Sequence, residues 1–69
     1  MIKATEIEYI GDGEYLKLTL EDSAGIEIGH QFQDDIFGAK LYVHKIDGNN
    51  VYCSQDSLIS SCIIKNTTH

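Results

Sequence analysis

The sequence predicts a small all-β domain, a five- to six-stranded antiparallel barrel or bent sheet, and three observations predict it. Isoleucine is the commonest residue while proline and tryptophan are absent, and β-branched residues of this kind suit a pleated, half-buried surface. Apolar residues alternate with polar ones or cluster in short runs, and no window of helical length shows a 3.6-residue period. Two Asp-Gly pairs, Asp12-Gly13 and Asp47-Gly48, stand between alternating stretches, which is the strongest short-range signal for a hairpin.

The chain of 69 residues makes one domain, assigned to residues 1–65, with a polar tail over 66–69 expected to fray. A domain this small is near the limit at which an apolar core alone outweighs chain entropy. A sheet that curls on itself limits open edges. Cys53 and Cys62 are the only cysteines, and no stretch reads as a signal-peptide core or a membrane span. The expected setting is therefore cytoplasmic and reduced, with no membrane partner.

Thr5 to Leu20 is the stretch in which turn chemistry, alternation and charge agree. With Asp12 and Gly13 as the central turn residues, Gly11 faces Glu14 and Tyr9, Ile7 and Thr5 stand opposite Leu16, Leu18 and Leu20. That face is apolar. The other face pairs Glu8 with Lys17, Glu6 with Thr19 and Ile10 with Tyr15, and a slip of one residue would turn all three leucines outward.

Glu21 to Gly25 reads as a polar turn. Ile26, Ile28, His30 and Phe32 then alternate as one face of a third strand, broken by Gln33-Asp34-Asp35, and Phe37 closes one end of the core. Lys40 to Gln55 is a second hairpin whose register has two solutions. A two- or four-residue loop puts Ile46 opposite Val51 and His44 opposite Cys53. A three-residue loop with a bulge puts Val43 opposite Cys53 and aligns Leu41, Val43, Val51 and Cys53, which gives the better core and is the register expected. Asp56-Ser57 is a turn or 3₁₀ step, and Leu58 to Lys65 is the last strand. From Ile28 to Ile64, a strand, a loop, a turn-rich hairpin, a short 3₁₀ step and a final strand resemble the strand order of SH3-like small barrels. The resemblance is topological and carries no motif from which functional residues could be transferred.

Charge separates the function classes. The formal net charge is −6; residues 1–35 hold nine acids and two lysines, residues 36–69 two acids and three lysines. There is no arginine, the residue best suited to bidentate phosphate or guanine contacts, so direct nucleic-acid binding is not expected. Nor is an enzyme. A reactive thiolate needs a cation cluster or helix N-terminus, and the glycine runs lack the following helix of a phosphate cradle. No metal or other cofactor is expected either. His30, His44, Cys53, Cys62 and His69 lack the short ligand spacings of zinc sites, although the less favoured hairpin register would make His44 and Cys53 neighbours.

A function therefore has to lie on the surface. Glu6, Glu8 and Glu21 accompany Ile10, Tyr15 and Thr19 on the outer face of the first hairpin, an acidic field around a small apolar centre. Charge of this sign is steered to a basic patch on a protein, and the buried aromatic then holds the complex. The expectation is an inhibitor module that occupies the basic groove of a nucleic-acid-handling protein. By size and charge the chain is similar to small phage- or mobile-element-encoded inhibitors of host defence nucleases, anti-CRISPR proteins among them. The alternative is an SH3-like accessory or assembly module that forms a homodimer or larger homo-oligomer through a sheet edge, with Tyr42 and Tyr52 as a second patch.

Overall fold

In the computed structural model, which describes residues 2–11, 15–36, 38–56 and 63–68, β1 (Ile2–Ile10) and β2 (Tyr15–Leu20) form the first hairpin. Ile7, Glu8, Tyr9 and Ile10 pair with Leu18, Lys17, Leu16 and Tyr15, and Glu6 with Thr19, as the alternation predicts. One pair differs. Ala4, not Thr5, stands opposite Leu20, because Thr5 is the extra residue of a bulge between Ala4 and Glu6. The bulge places the small apolar Ala4 in the core and leaves Thr5 outside, where its hydroxyl donates to the Thr19 carbonyl at 3.1 Å. Gly11 already has φ 64°; the expected Asp12-Gly13 turn and the Gly11–Glu14 pair fall on positions 12–14, outside the described residues.

β3 (Gln31–Asp34) is shorter than the expected third strand and begins later. Residues 26–30 turn instead. The Ile26 N–H donates to the Ser23 carbonyl and the His30 N–H to the Glu27 carbonyl, each at 3.1 Å. Gly25 and Gly29 take φ 83° and 95°, a region that costs glycine nothing. Alternation fails at these turns, so Ile26 packs partly against the core while Ile28 is 68% exposed. At the other end β3 runs on through Asp34, which was expected to break it. Asp34 is buried and Asp35 exposed, the opposite facing that consecutive strand residues impose.

β4 (Lys40–Asp47) and β5 (Asn50–Gln55) form the second hairpin, and its register combines the two solutions. The connection is the two-residue one, Gly48-Asn49, with Asp47 opposite Asn50 and Ile46 opposite Val51. Val43 nevertheless pairs with Cys53, because His44 is an extra residue in a bulge between Val43 and Lys45. The expected core face of Leu41, Val43, Val51 and Cys53 forms. The bulge sits within the strand rather than in the loop.

β6 (Ile63–Asn66) pairs with β3 and with the start of β1, closing a ring in the order β1-β2-β5-β4-β3-β6 with every pairing antiparallel. This is the six-stranded barrel of the prediction, and there is no helix among the described residues. Asn66, expected in the tail, belongs to β6 opposite Phe32. Thr67 follows it, donating its N–H to the Gln31 carbonyl at 2.8 Å. Phe37, residues 57–62 and His69 lie outside the described residues, and with them the expected 3₁₀ step, the first half of the last strand and Cys62.

Leu16, Leu18, Leu20, Phe32, Leu41, Val43, Val51, Cys53 and Ile64 fill the interior with Ala4 and Ala39. Side chains pack the interior of so small a barrel, and among the described residues Asp34 is the one charged residue buried there, so the other charged side chains lie outside. No helix among the described residues is long and apolar enough to cross a membrane.

Candidate protein-binding face

Alternation in β1 and β2 decides what the outer face carries. Leu16, Leu18 and Leu20 point inward and are buried; Glu6, Glu8 and Ile10 on β1, with Tyr15, Lys17 and Thr19 on β2, therefore point out. Ile10 and Tyr15 are direct cross-strand partners. Tyr15 is 38% exposed and Ile10 half-buried. Four of the five expected site residues thus share one face. Glu21 does not join their centre: it follows Leu20 at the other end of β2, about 20 Å from Tyr15 along an extended strand, and lines a surface hollow of about 200 Å³ with Ile2, Lys3 and Asp22.

Lys17 partly neutralises the acidic field. Its ammonium lies 3.3 Å from the Glu8 carboxylate, and the hydrogen bond and charge of Glu8 hold it above the usual lysine range, with Tyr52 and Glu6 adding to the shift. Glu6 is in no ion pair among the described residues.

Pairing of β2 with β5 extends the face in a way that local reading of the chain misses. Lys17 stands opposite Tyr52 and Thr19 opposite Asn50; the Thr19 hydroxyl donates to Asn50 Oδ1 at 3.0 Å. Beyond β5, Tyr52 pairs with Lys45 of β4, whose ammonium sits 5.1 Å from the centre of the Tyr52 ring. The His44 ring meets Tyr15, with ring centroids 4.7 Å apart. Tyr52, expected with Tyr42 as a separate patch, and His44 are therefore continuous with Tyr15. The result is an aromatic strip across β2, β5 and β4 with carboxylates on its β1 side. No sequence signal gives the β2–β5 ladder, because it joins strands separated by two others.

The bulge at His44 also bears on metal binding, since Val43 rather than His44 lies opposite Cys53. Cys53 is buried, and loss of water pushes its thiol up to about 12, which suits a packing residue and opposes a thiolate ligand or nucleophile. Among the described residues no three His, Cys, Asp or Glu side chains gather in a group that could hold a metal ion. No protein-family model matches this chain, and neither a curated protein nor a solved structure is significantly similar to it.

Proposed function

We propose that this chain is a small acidic protein-binding module of the inhibitor kind, which docks on the basic surface of a nucleic-acid-handling protein, as anti-defence proteins of phages and mobile elements do. The observation that carries the reading is the juxtaposition of exposed Glu6 and Glu8 with the Ile10–Tyr15 pair on one outer face. Carboxylates at the margin raise the encounter rate with a cationic surface, and an aromatic centre that loses water on contact holds it. The strip through His44 and Tyr52 enlarges that centre. A cytoplasmic site of action belongs to the same proposal.

Assembly through a sheet edge is the second reading. Closure of the six strands into a ring favours the first, because it removes the open edge on which edge-to-edge pairing depends.

Capture from lysate of the cell that produces the protein tests the proposal, comparing wild type with Glu6→Lys/Glu8→Lys and with Tyr15→Ala. The expected result is a stoichiometric complex with a basic, nucleic-acid-binding protein, seen by native mass spectrometry and absent for both variants. Added wild-type chain should then displace nucleic acid from the captured protein. Equal capture by the charge-reversed variant, or a captured protein that keeps its nucleic acid, overturns it.

A further inference from the structure

We infer that copies of this chain associate head to tail, the lysine-bearing face of one copy seating on the acidic face of the next. The lysines come together through the ladders of β3. Gln33 pairs with Lys65 of β6 on one side and with Lys40 of β4 on the other, so the two lysines flank a neutral residue about 10 Å apart, two strand spacings. Gln33 is turned to its own backbone, donating from Nε2 to the Gly38 carbonyl at 3.2 Å. Among the described residues neither ammonium has a carboxylate within ion-pair distance. Asp56 meets Lys40 through the backbone, accepting the Lys40 N–H at 2.8 Å. Exposed Ile63 and Tyr42, at 42% and 43%, lie on the same outward side of β6 and β4.

Ring order and register set the two lysines away from Glu6 and Glu8, while Tyr42 lies on β4 two residues before His44, which meets Tyr15. In β1-β2-β5-β4-β3-β6, β4 with Lys40 lies across the ring from β1, and β6 with Lys65 is next to β1 but pairs with its first residues, Ile2 and Lys3, short of Glu6 and Glu8. The charge beside the apolar side chains thus differs in sign between the two sides: Glu6 and Glu8, the latter paired with Lys17, lie with half-buried Ile10 and exposed Tyr15, and Lys40 and Lys65 lie with exposed Ile63 and Tyr42. Complementary patches at different places on one molecule make a heterologous contact, which propagates instead of closing as a pair. A second copy is the occupant for which both halves of the contact are present.

A net charge of −6 opposes any self-contact, and distance decides which effect wins. The barrel is 21 to 26 Å across, so two copies hold their overall charges about two Debye lengths apart at about 0.1 M salt, while Lys–Glu contacts within 4 Å remain inside one. At about 1 M the Debye length falls to about 3 Å and the contacts are screened as well. Association is thus strongest at intermediate salt. Exposed pairs contribute little singly, so the complex is weak and depends on concentration.

Sedimentation velocity tests this with the untagged full chain and two neutralised variants, Glu6→Gln/Glu8→Gln and Lys40→Gln/Lys65→Gln, all at exposed or surface positions. Wild type at about 0.1 M salt should show a mass that climbs above 7.7 kDa with concentration and returns to it at about 1 M. Each variant alone should stay monomeric, and their mixture should form a one-to-one complex and nothing larger, since each keeps one intact face. A wild-type monomer throughout, a dimer that stops at two, variants that associate like wild type, or a mixture without the complex overturns the inference. It shares the acidic face with the proposed docking but not the partner, so the two fail separately. Lys40→Gln/Lys65→Gln must still capture the basic protein even if no self-association exists.

Discussion

The rings of Tyr15 and His44 meet across the sheet, centroids 4.7 Å apart and tilted by 51°, although one belongs to β2, the other to the bulge of β4, and β5 runs between those strands. The bulge makes the meeting possible by adding a residue on the outside of β4. A tilted aromatic contact of this kind contributes about 0.5–1.5 kcal/mol beyond area burial. A double-mutant cycle with Tyr15→Ala and His44→Ala, followed by urea unfolding, should return a coupling toward the lower end of that range because both rings are partly wet. A coupling of zero would mean that the rings are neighbours without holding one another.

Bulges at Thr5 and His44 predict an asymmetry among single deletions. Removing His44 leaves Lys45 opposite Tyr52 and Val43 opposite Cys53 in an unbroken ladder, with Leu41 and Val43 still inward. Removing Tyr42 instead shifts Leu41 by one place and turns it to solvent. The His44 deletion should keep a cooperative transition at a lowered melting temperature, having lost local twist, and the Tyr42 deletion should abolish it. Circular dichroism melts of the two chains decide, and equal damage would remove the bulge from the explanation.

These same residues show what could be read in advance. The first hairpin was legible because Glu8–Lys17, Ile7–Leu18 and Ile10–Tyr15 are pairs between strands close together in the chain. The core face of the second was legible because placing Val43 opposite Cys53 buries Leu41, Val43, Val51 and Cys53 together. What failed was placing the extra residue: a bulge in the loop and one at His44 bury the same side chains, and nothing local separates them. Residues 26–30 misled through their alternation, which two glycines at positive φ interrupt. The candidate face was half legible. Glu6, Glu8, Ile10 and Tyr15 share a hairpin, but Tyr52 and His44 reach them through the β2–β5 ladder, which is set by how the whole ring closes.

Leu18 lies at the centre of that closure, paired with Ile7 on one side and Val51 on the other and fully buried. Leu18→Ala removes about 2–5 kcal/mol from a domain whose single core supplies only about 3–5 kcal/mol. The variant should show no cooperative unfolding by urea fluorescence or circular dichroism at room temperature. Lys17→Ala, one residue away and outward, should keep its transition. A wild-type melt for Leu18→Ala would contradict the filled interior.

Cys53 makes the barrel's stability depend on pH in the alkaline range. Its burial raises the thiol from 9.0 to about 12, so the folded chain keeps the proton while the unfolded chain gives it up. Below about pH 9 both states are protonated and the full contribution is present; as pH climbs from there toward 12 the unfolded state is favoured progressively. Urea titrations at about pH 8 and about pH 10.5, in a Cys62→Ser background that leaves one thiol to follow, should show a larger loss for the chain with Cys53 than for Cys53→Val. Every other side chain is the same in the two chains, so the difference isolates the thiol. Alkylation of Cys53 by iodoacetamide should in turn follow the unfolded fraction through the urea transition. Rapid labelling of the folded protein, or identical pH dependence in the two chains, would place Cys53 in contact with water and reopen it as a reactive group.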